Sequence, residues 1–261
     1  MIPAIRRCIA GTFGCAEPAK RSSSSTSARA SIAVNLVGRS FARDTFTQAL
    51  SAEAFVRAML DFERALAGAE ADAGVIPQEA ARVIAKACTD LSLSPEALAS
   101  EGKRSGSLAV PLVKALTEHV ARADTRAAAF VHYGSTSQDV LDTALILCLK
   151  RCLADADRVL ATAVRRLVGH ARRHAAVVML GRTLMQPATP ITAGLKIARW
   201  AAALHRCRLR LAEARERALC VQLGGAVGTL DALGSKRTGV RHGLAMRLHL
   251  GEARAWHDHR D

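Results

Sequence analysis

Residues 135–175 read STSQDVLDTALILCLKRCLADADRVLATAVRRLVGHARRHA, and this stretch decides the fold. It contains no proline and one glycine, and apolar residues recur along it every three or four positions, namely Val140, Leu141, Leu145, Cys148, Leu149, Cys152, Val159, Ala163 and Leu167. This period predicts one uninterrupted helix of roughly 40 residues, about 60 Å long. Such a helix needs packing partners along its whole length, which favours a helical bundle built by oligomerisation.

Four shorter helices are predicted before the long one. The first has Ser51 as its N-cap and ends at Gly74. The second follows Pro77 and runs to about Thr89, and the third begins at Ser94. The fourth spans 107–120 and accommodates Pro111 in its first turn or as a kink.

After the long helix, the sequence predicts a loop over 181–190 and a second long helix over 191–221. A Gly-rich turn, LGGAVGTLDALG, then occupies residues 223–234 and leads into a helix that ends near Leu250. Alanine, leucine and arginine dominate the composition and aromatic residues make up 3% of it, which is typical of long helices packed through small and aliphatic side chains. We therefore expect an all-α protein.

The formal net charge is +14, and arginine supplies most of it. Nucleic-acid binding would require basic clusters with interleaved aromatic residues, and the sequence has none. The charge therefore indicates a solvated basic surface or, alternatively, attraction of a polyanionic small substrate.

Three regions are predicted along the chain. Residues 1–40 are Ser- and Arg-rich and form an expected disordered leader. It is a dispensable tail, an upstream stretch translated from a start codon placed too early, or an organellar transit peptide. A helical domain over 41–133 and a long-helix bundle domain over 134–261 follow. No apolar run is long enough for a signal peptide or a membrane span, and seven cysteines without a CxxC pair suggest reduced thiols in the cytoplasm.

Polar residues are concentrated where the long helix begins, in the sequence HYGSTSQD of residues 132–139. The first N–H groups of a helix lack internal partners and lie at the positive end of its dipole, so a substrate carboxylate can bind there through Thr136, Ser137 and Gln138. The alternative is a purely structural N-cap, with Thr136 capping the helix and Asp139 closing a capping box.

A second polar stretch, GRTLMQPATPIT, spans residues 181–192. Arg182 can hold a carboxylate through two parallel hydrogen bonds, with Thr183 and Gln186 completing the contact. The alternative is a plain interhelical loop. The Gly-rich turn lacks the residue order of a phosphate loop, so nucleotide binding is not expected.

These segments together resemble the fumarase/aspartase superfamily. HYGSTSQDVLDT is similar to the VHWGATSQDVIDT of 3-carboxy-cis,cis-muconate cycloisomerases, GRTLMQPATPITAGLK to their GRTWLQHALPITFGLK, and QLGGAVGTLDALG to their QFGGAAGTLASLG. Further matches are MLDFERALAGAEADAGVIP, VPLVKALT and the terminal WHDHRD against WHTQRD. The resemblance extends from about Ala52 to Asp261.

The resemblance implies a long-helix bundle and a homotetramer whose active sites are shared between subunits. It implies cofactor-free and metal-free closure of 3-carboxy-cis,cis-muconate, a tricarboxylate of protocatechuate breakdown, to a lactone. One carboxylate would bind to Thr136, Ser137 and Gln138 and another to Arg182, Thr183 and Gln186, while Arg260 is a further substrate-binding candidate.

The sequence departs from the superfamily pattern at two places. Leu184 stands where many lyases have a proton-transferring His, and the cycloisomerases also have an apolar residue there. The SSxMPxKxNP loop with the presumed catalytic Ser is absent, so the bundle is expected to be incomplete at its C-terminus and this chain inactive alone. The catalytic base is then unknown, and His257 is the candidate that remains. Alternatives are adenylosuccinate lyase or another fumarate-releasing lyase, and a non-catalytic helical fragment or pseudoenzyme.

Overall fold

The computed structural model describes residues 43–253, and helices occupy most of them. Within the described part of the chain, six helices precede the long one: α1 (Asp44–Ala49), α2 (Ala52–Asp72), α3 (Gln78–Asp90), α4 (Pro95–Ser105), α5 (Ala109–Ala123) and α6 (Thr125–Ala128). Four of them, α2 to α5, match the predicted helices. The predicted leader over 1–40 lies outside the described residues.

Local capping sets the ends of these helices. Ser51 Oγ accepts the Ala54 N–H at 3.1 Å at the start of α2, and Ser94 Oγ accepts the Ala97 N–H at the start of α4. Gly74 has a φ of +70°, which lets the chain turn back so that the Val75 N–H reaches the Glu70 carbonyl. Pro111 lies in the first turn of α5, where its missing N–H removes no helical hydrogen bond.

The long helix is confirmed as α7, Ser137–Arg173, an uninterrupted element of 37 residues. The second long helix is α8, Ala193–Ala218, which runs back along α7. The Gly-rich turn leads into a short 3₁₀ helix, Asp231–Lys236, and then into α9, Arg237–Leu248. Two-residue strands β3 (Cys220–Val221) and β4 (Gly251–Glu252) pair in parallel.

The predicted loop over 181–190 is wrong. This stretch belongs to an antiparallel hairpin of β1 (Val178–Thr183) and β2 (Gln186–Thr192). A bulge between Leu180 and Arg182 brings Gly181 so close to the other strand that a Cβ there would lie 2.4 Å from the Thr189 carbonyl oxygen. Glycine is therefore required at position 181.

The hydrophobic core surrounds α2, which packs against α3, α9 and the first half of α7. Met59, Phe62 and Leu66 of α2 are fully buried, as their helical spacing predicts. Cys148 and Cys152, two of the periodic apolar residues of α7, are buried. The division between 41–133 and 134–261 remains a prediction.

The distal part of α7 and the whole of α8 form a two-helix arm, residues 156–218, that includes the hairpin. After Asp155 no described residue of α7 is buried, and on α8 only Gly194 and Ala201 are. Arg208 of α8 donates to Asp157 of α7 at 2.9 Å and ties the two helices together. Large apolar side chains remain exposed along the arm, namely Val177, Val178, Leu180, Leu195, Trp200 and Leu209. Of the described helices, none combines the length and apolar character needed to cross a membrane.

A candidate substrate site at the start of the long helix

Asp139, in the first turn of α7, organises the candidate site. Its carboxylate is 1% exposed and accepts backbone N–H groups from Gly224 at 2.8 Å and from Gly225 and Thr136 at 3.0 Å. The side chains of Gln222 and Ser135 donate to it at 3.4 Å. A buried carboxylate is tolerated only when it is well hydrogen-bonded, so this network fixes the Gly-rich turn against the helix.

A second attachment lies one turn further along α7. Thr143 Oγ1 donates to the Gln222 carbonyl at 3.1 Å and accepts the Gln222 N–H at 3.0 Å. Gly225 has a φ of +67°, and a Cβ there would lie 3.1 Å from the Gly134 carbonyl oxygen. The glycines of the turn therefore allow its backbone to approach the segment before α7 closely.

Thr136 is the N-cap of α7, and Asp139 accepts its N–H. The two residues are arranged as in a capping box. The contact between Thr136 Oγ1 and the Asp139 N–H does not meet the geometry of a hydrogen bond, so this buried hydroxyl oxygen has no hydrogen-bond partner. Thr136 therefore caps the helix while its hydroxyl oxygen has no hydrogen-bond partner. Ser137 follows Thr136 as the first helical residue. Gln138 donates to Asp142 at 3.5 Å.

His132 and Glu63 form an ion pair beside this segment that the sequence analysis did not identify. His132 Nδ1 lies 2.6 Å from Glu63 Oε1, and Glu63 is buried on α2. Burial by itself lowers the pKa of His132, but the charge and hydrogen bond of Glu63 and the charge of Asp139 outweigh it and raise the pKa. Glu63 therefore favours the protonated form of His132 beside the start of α7.

Arg182, Thr183 and Gln186 lie on the hairpin, at the other end of α7 from Thr136. At about 1.5 Å per residue, the 37 residues of α7 make this helix about 55 Å long. All three side chains are exposed, and Arg182 donates to the Met185 carbonyl at 3.3 Å. A single chain therefore does not bring the two predicted carboxylate-binding groups together.

The hairpin ends in a strained and apolar turn. Leu184 and Met185 have φ angles of +46° and +61°, in the left-handed region that non-glycine residues seldom occupy. Their side chains are 95% and 90% exposed. The remaining two candidates, His257 and Arg260, lie outside the described residues.

Comparison with known proteins gives a consistent family. A family model described as Lyase matches residues 38–259. The 3-carboxy-cis,cis-muconate cycloisomerase of Bradyrhizobium diazoefficiens is 48% identical over 204 residues, which cover 78% of this chain and 45% of that protein. The Pseudomonas aeruginosa enzyme of the same name is 45% identical over 207 residues, covering 79% and 45%.

A solved structure agrees with these relatives. The β-carboxy-cis,cis-muconate cycloisomerase of Acinetobacter calcoaceticus superposes with a TM-score of 0.81 at 41% identity, over 87% of this chain and 53% of that one. The chain spans about half the length of the curated relatives that it matches.

Proposed function

The chain belongs to the lyase family, within the fumarase/aspartase superfamily, and on that premise we propose that it supplies part of a 3-carboxy-cis,cis-muconate cycloisomerase. The reaction interconverts the open tricarboxylate and its carboxymuconolactone. The observation that carries this proposal is the identity of 48% to such an enzyme across segments that include the start of α7.

The reaction explains why these residue types are used. In the direction of ring opening, a base removes a proton next to a carboxylate, negative charge accumulates on that carboxylate, and the ring carboxylate leaves. Hydrogen-bond donors and cations that face the developing charge lower the barrier, so the proposed mechanism requires no cofactor. The Thr136 hydroxyl, Ser137 and the positive end of the α7 dipole would bind one carboxylate, with Gln138 beside them. Arg182, Thr183 and Gln186 would bind another.

We further propose that each site forms between subunits of a homotetramer. The two binding groups lie at opposite ends of a helix about 55 Å long, so a substrate a few ångströms across contacts both only when the hairpin of one copy reaches the α7 N-terminus of another. The exposed apolar residues of the arm support this arrangement, because their exposure to water is unfavourable and a partner subunit would bury them. The exposed turn of Leu184 and Met185 suits insertion into a partner.

The free cysteines bear on the cellular location that we propose for the enzyme. Cys88, Cys148, Cys152, Cys207 and Cys220 are free thiols in the described residues. Free thiols on this scale favour a reducing compartment, so we place the enzyme in the cytoplasm.

The experiment that tests the function joins residues 1–261 to the C-terminal half of the B. diazoefficiens relative and assays lactone formation from carboxymuconate by absorbance. We expect turnover by the fusion and only background conversion by residues 1–261 alone. Mass measurement by light scattering should give a tetramer for the fusion. Release of fumarate from adenylosuccinate, with no reaction of carboxymuconate, would replace this proposal by the adenylosuccinate lyase alternative.

A further inference from the structure

A pocket opens between α2, α3 and α9, and neither Asp139 nor the hairpin lines it. Its volume is about 570 Å³, and each helix contributes one arginine to its wall, namely Arg64, Arg82 and Arg247. Ala65, Ala81 and Leu248 add apolar surface between them. We call this the arginine pocket. No residue of the proposed substrate site lines it.

Each of the three guanidinium groups has a carboxylate partner outside the pocket wall. Arg64 donates to Asp61 at 3.1 Å, Arg82 donates to Glu79 at 3.0 Å, and Arg247 donates to Asp72. In each case these bonds engage one terminal nitrogen, whereas a guanidinium has five N–H donors. The ion pairs therefore leave further donors on each guanidinium for a ligand.

Gly68 gives the pocket its shape. A Cβ at this position would lie 2.8 Å from Cζ and 2.9 Å from Nη1 of Arg247. The Arg247 guanidinium thus lies directly against the α2 backbone, in space that any larger residue would fill. A glycine inside a helix lowers helix stability. At position 68 the missing side chain leaves the space that the Arg247 guanidinium occupies.

We propose that the arginine pocket binds a small organic polycarboxylate. Guanidinium groups bind carboxylates through pairs of parallel hydrogen bonds, and three of them surround one cavity here. The carbon skeleton of such an anion would cover Ala65, Ala81 and Leu248. The volume is in the range of small-molecule sites, whereas an inorganic anion would leave most of it empty. The net charge of +14 favours entry of anions.

Benzene-1,3,5-tricarboxylate is a suitable probe, because it carries three carboxylates on a flat apolar ring. Titrated into the 261-residue chain and followed by calorimetry, it should bind saturably with a stoichiometry of one. Arg82→Gln and Arg247→Gln should each weaken binding at least about tenfold, as expected for the loss of a hydrogen bond between charged groups. The matched control is Arg104→Gln, which removes a guanidinium paired with Glu101 on α4 away from the pocket and should change the Kd less than about twofold.

Gly68→Ala provides a test that conserves every charge. The added methyl group displaces the flexible end of Arg247, and alanine is the better helix former, so the protein should stay folded while tricarboxylate binding weakens about tenfold. Ser137→Ala should leave binding unchanged, which separates this pocket from the proposed substrate site. Wild-type affinity in both Gly68→Ala and Arg247→Gln would overturn the proposal, and so would equally tight binding of inorganic phosphate.

Discussion

Asp139 and Gly224 are 85 positions apart in the chain, yet the carboxylate of one accepts the backbone N–H of the other at 2.8 Å. This bond connects the first turn of the long helix to the Gly-rich turn that follows the second one. It makes the residues before α7, the helix N-terminus and the Gly-rich turn a single structural unit. The groups proposed to bind substrate at the start of α7 are therefore held in place from outside the helix.

Replacement of Asp139 by Asn should destabilise the protein by about 2 to 4 kcal/mol, because one acceptor oxygen becomes an NH₂ group that faces backbone N–H donors. Urea unfolding followed by circular dichroism measures this change. Asp142→Asn is the matched control, one turn further along α7, where the carboxylate accepts a long bond of 3.5 Å from Gln138. Equal stabilities for the two variants would contradict the role assigned to Asp139.

The pair of His132 and Glu63 should make stability depend on pH. The pKa of His132 is raised in the folded protein, so its contribution is complete below its unfolded value of about 6.5 and is lost as the pH rises through the folded value. His132→Asn tolerates the φ of +59° and should cost about 1 to 3 kcal/mol at pH 6, with the difference from wild type shrinking by pH 9. A difference that is constant over this range would refute the prediction, and exposed His205→Asn serves as the control.

Glu70 should destabilise the protein at high pH. Its side chain is 0% exposed and neither carboxyl oxygen has a hydrogen-bond partner, and burial, together with the charge of Glu63, raises its pKa to about 9. Since the unfolded chain releases this proton near 4.5, folding becomes less favourable as the pH rises from there towards 9. Glu70→Gln stays neutral, so it should gain at least about 1 kcal/mol on wild type between pH 5 and pH 8. Denaturant midpoints at both pH values test this, with the exposed Glu213→Gln as the control.

Arg182 should matter for catalysis in the fusion enzyme and little for folding. Lysine keeps the charge but loses the paired hydrogen bonds, so Arg182→Lys should lower kcat/KM, and Arg182→Ala should lower it further, by about 30- to 1000-fold, or about 2 to 4 kcal/mol. Arg199→Ala removes an exposed arginine of α8 and is the comparison. Near-normal kinetics of Arg182→Ala would show that Arg182 has no part in catalysis. Its bond to the Met185 carbonyl would then be its only contact, and the second carboxylate would bind elsewhere.

The sequence predicted the helices well because their signals are local. Ser51 and Ser94 cap them, Gly74 ends one of them, and the apolar period of α7 continues without a break. The hairpin was missed because its turn consists of Leu184 and Met185 instead of the glycine or asparagine that usually adopt positive φ. Its second strand also contains Pro187 and Pro190, which resemble loop residues.

The candidate site was only partly accessible from sequence for a different reason. Thr136 and Asp139 lie within one motif, so their proximity follows from the helix. Glu63 and His132 meet across 69 positions, and nothing in either local sequence indicates the other. The placement of Thr136 and Arg182 at opposite ends of α7 follows from the predicted helix, but the proposed meeting of these residues between copies of the chain depends on the assembly.

The length of the two-helix arm sets the position of the hairpin in the proposed shared sites. Each residue inserted into a helix rotates the chain beyond it by about 100° about the helix axis and moves that chain by about 1.5 Å along the axis. One added or deleted residue between Ala156 and Arg173 would point Arg182 in a different direction, whereas seven residues in both helices would nearly restore its orientation but carry it about 10 Å further. Changes of length in a plain stretch of helix should therefore disable the site as completely as a substitution within it.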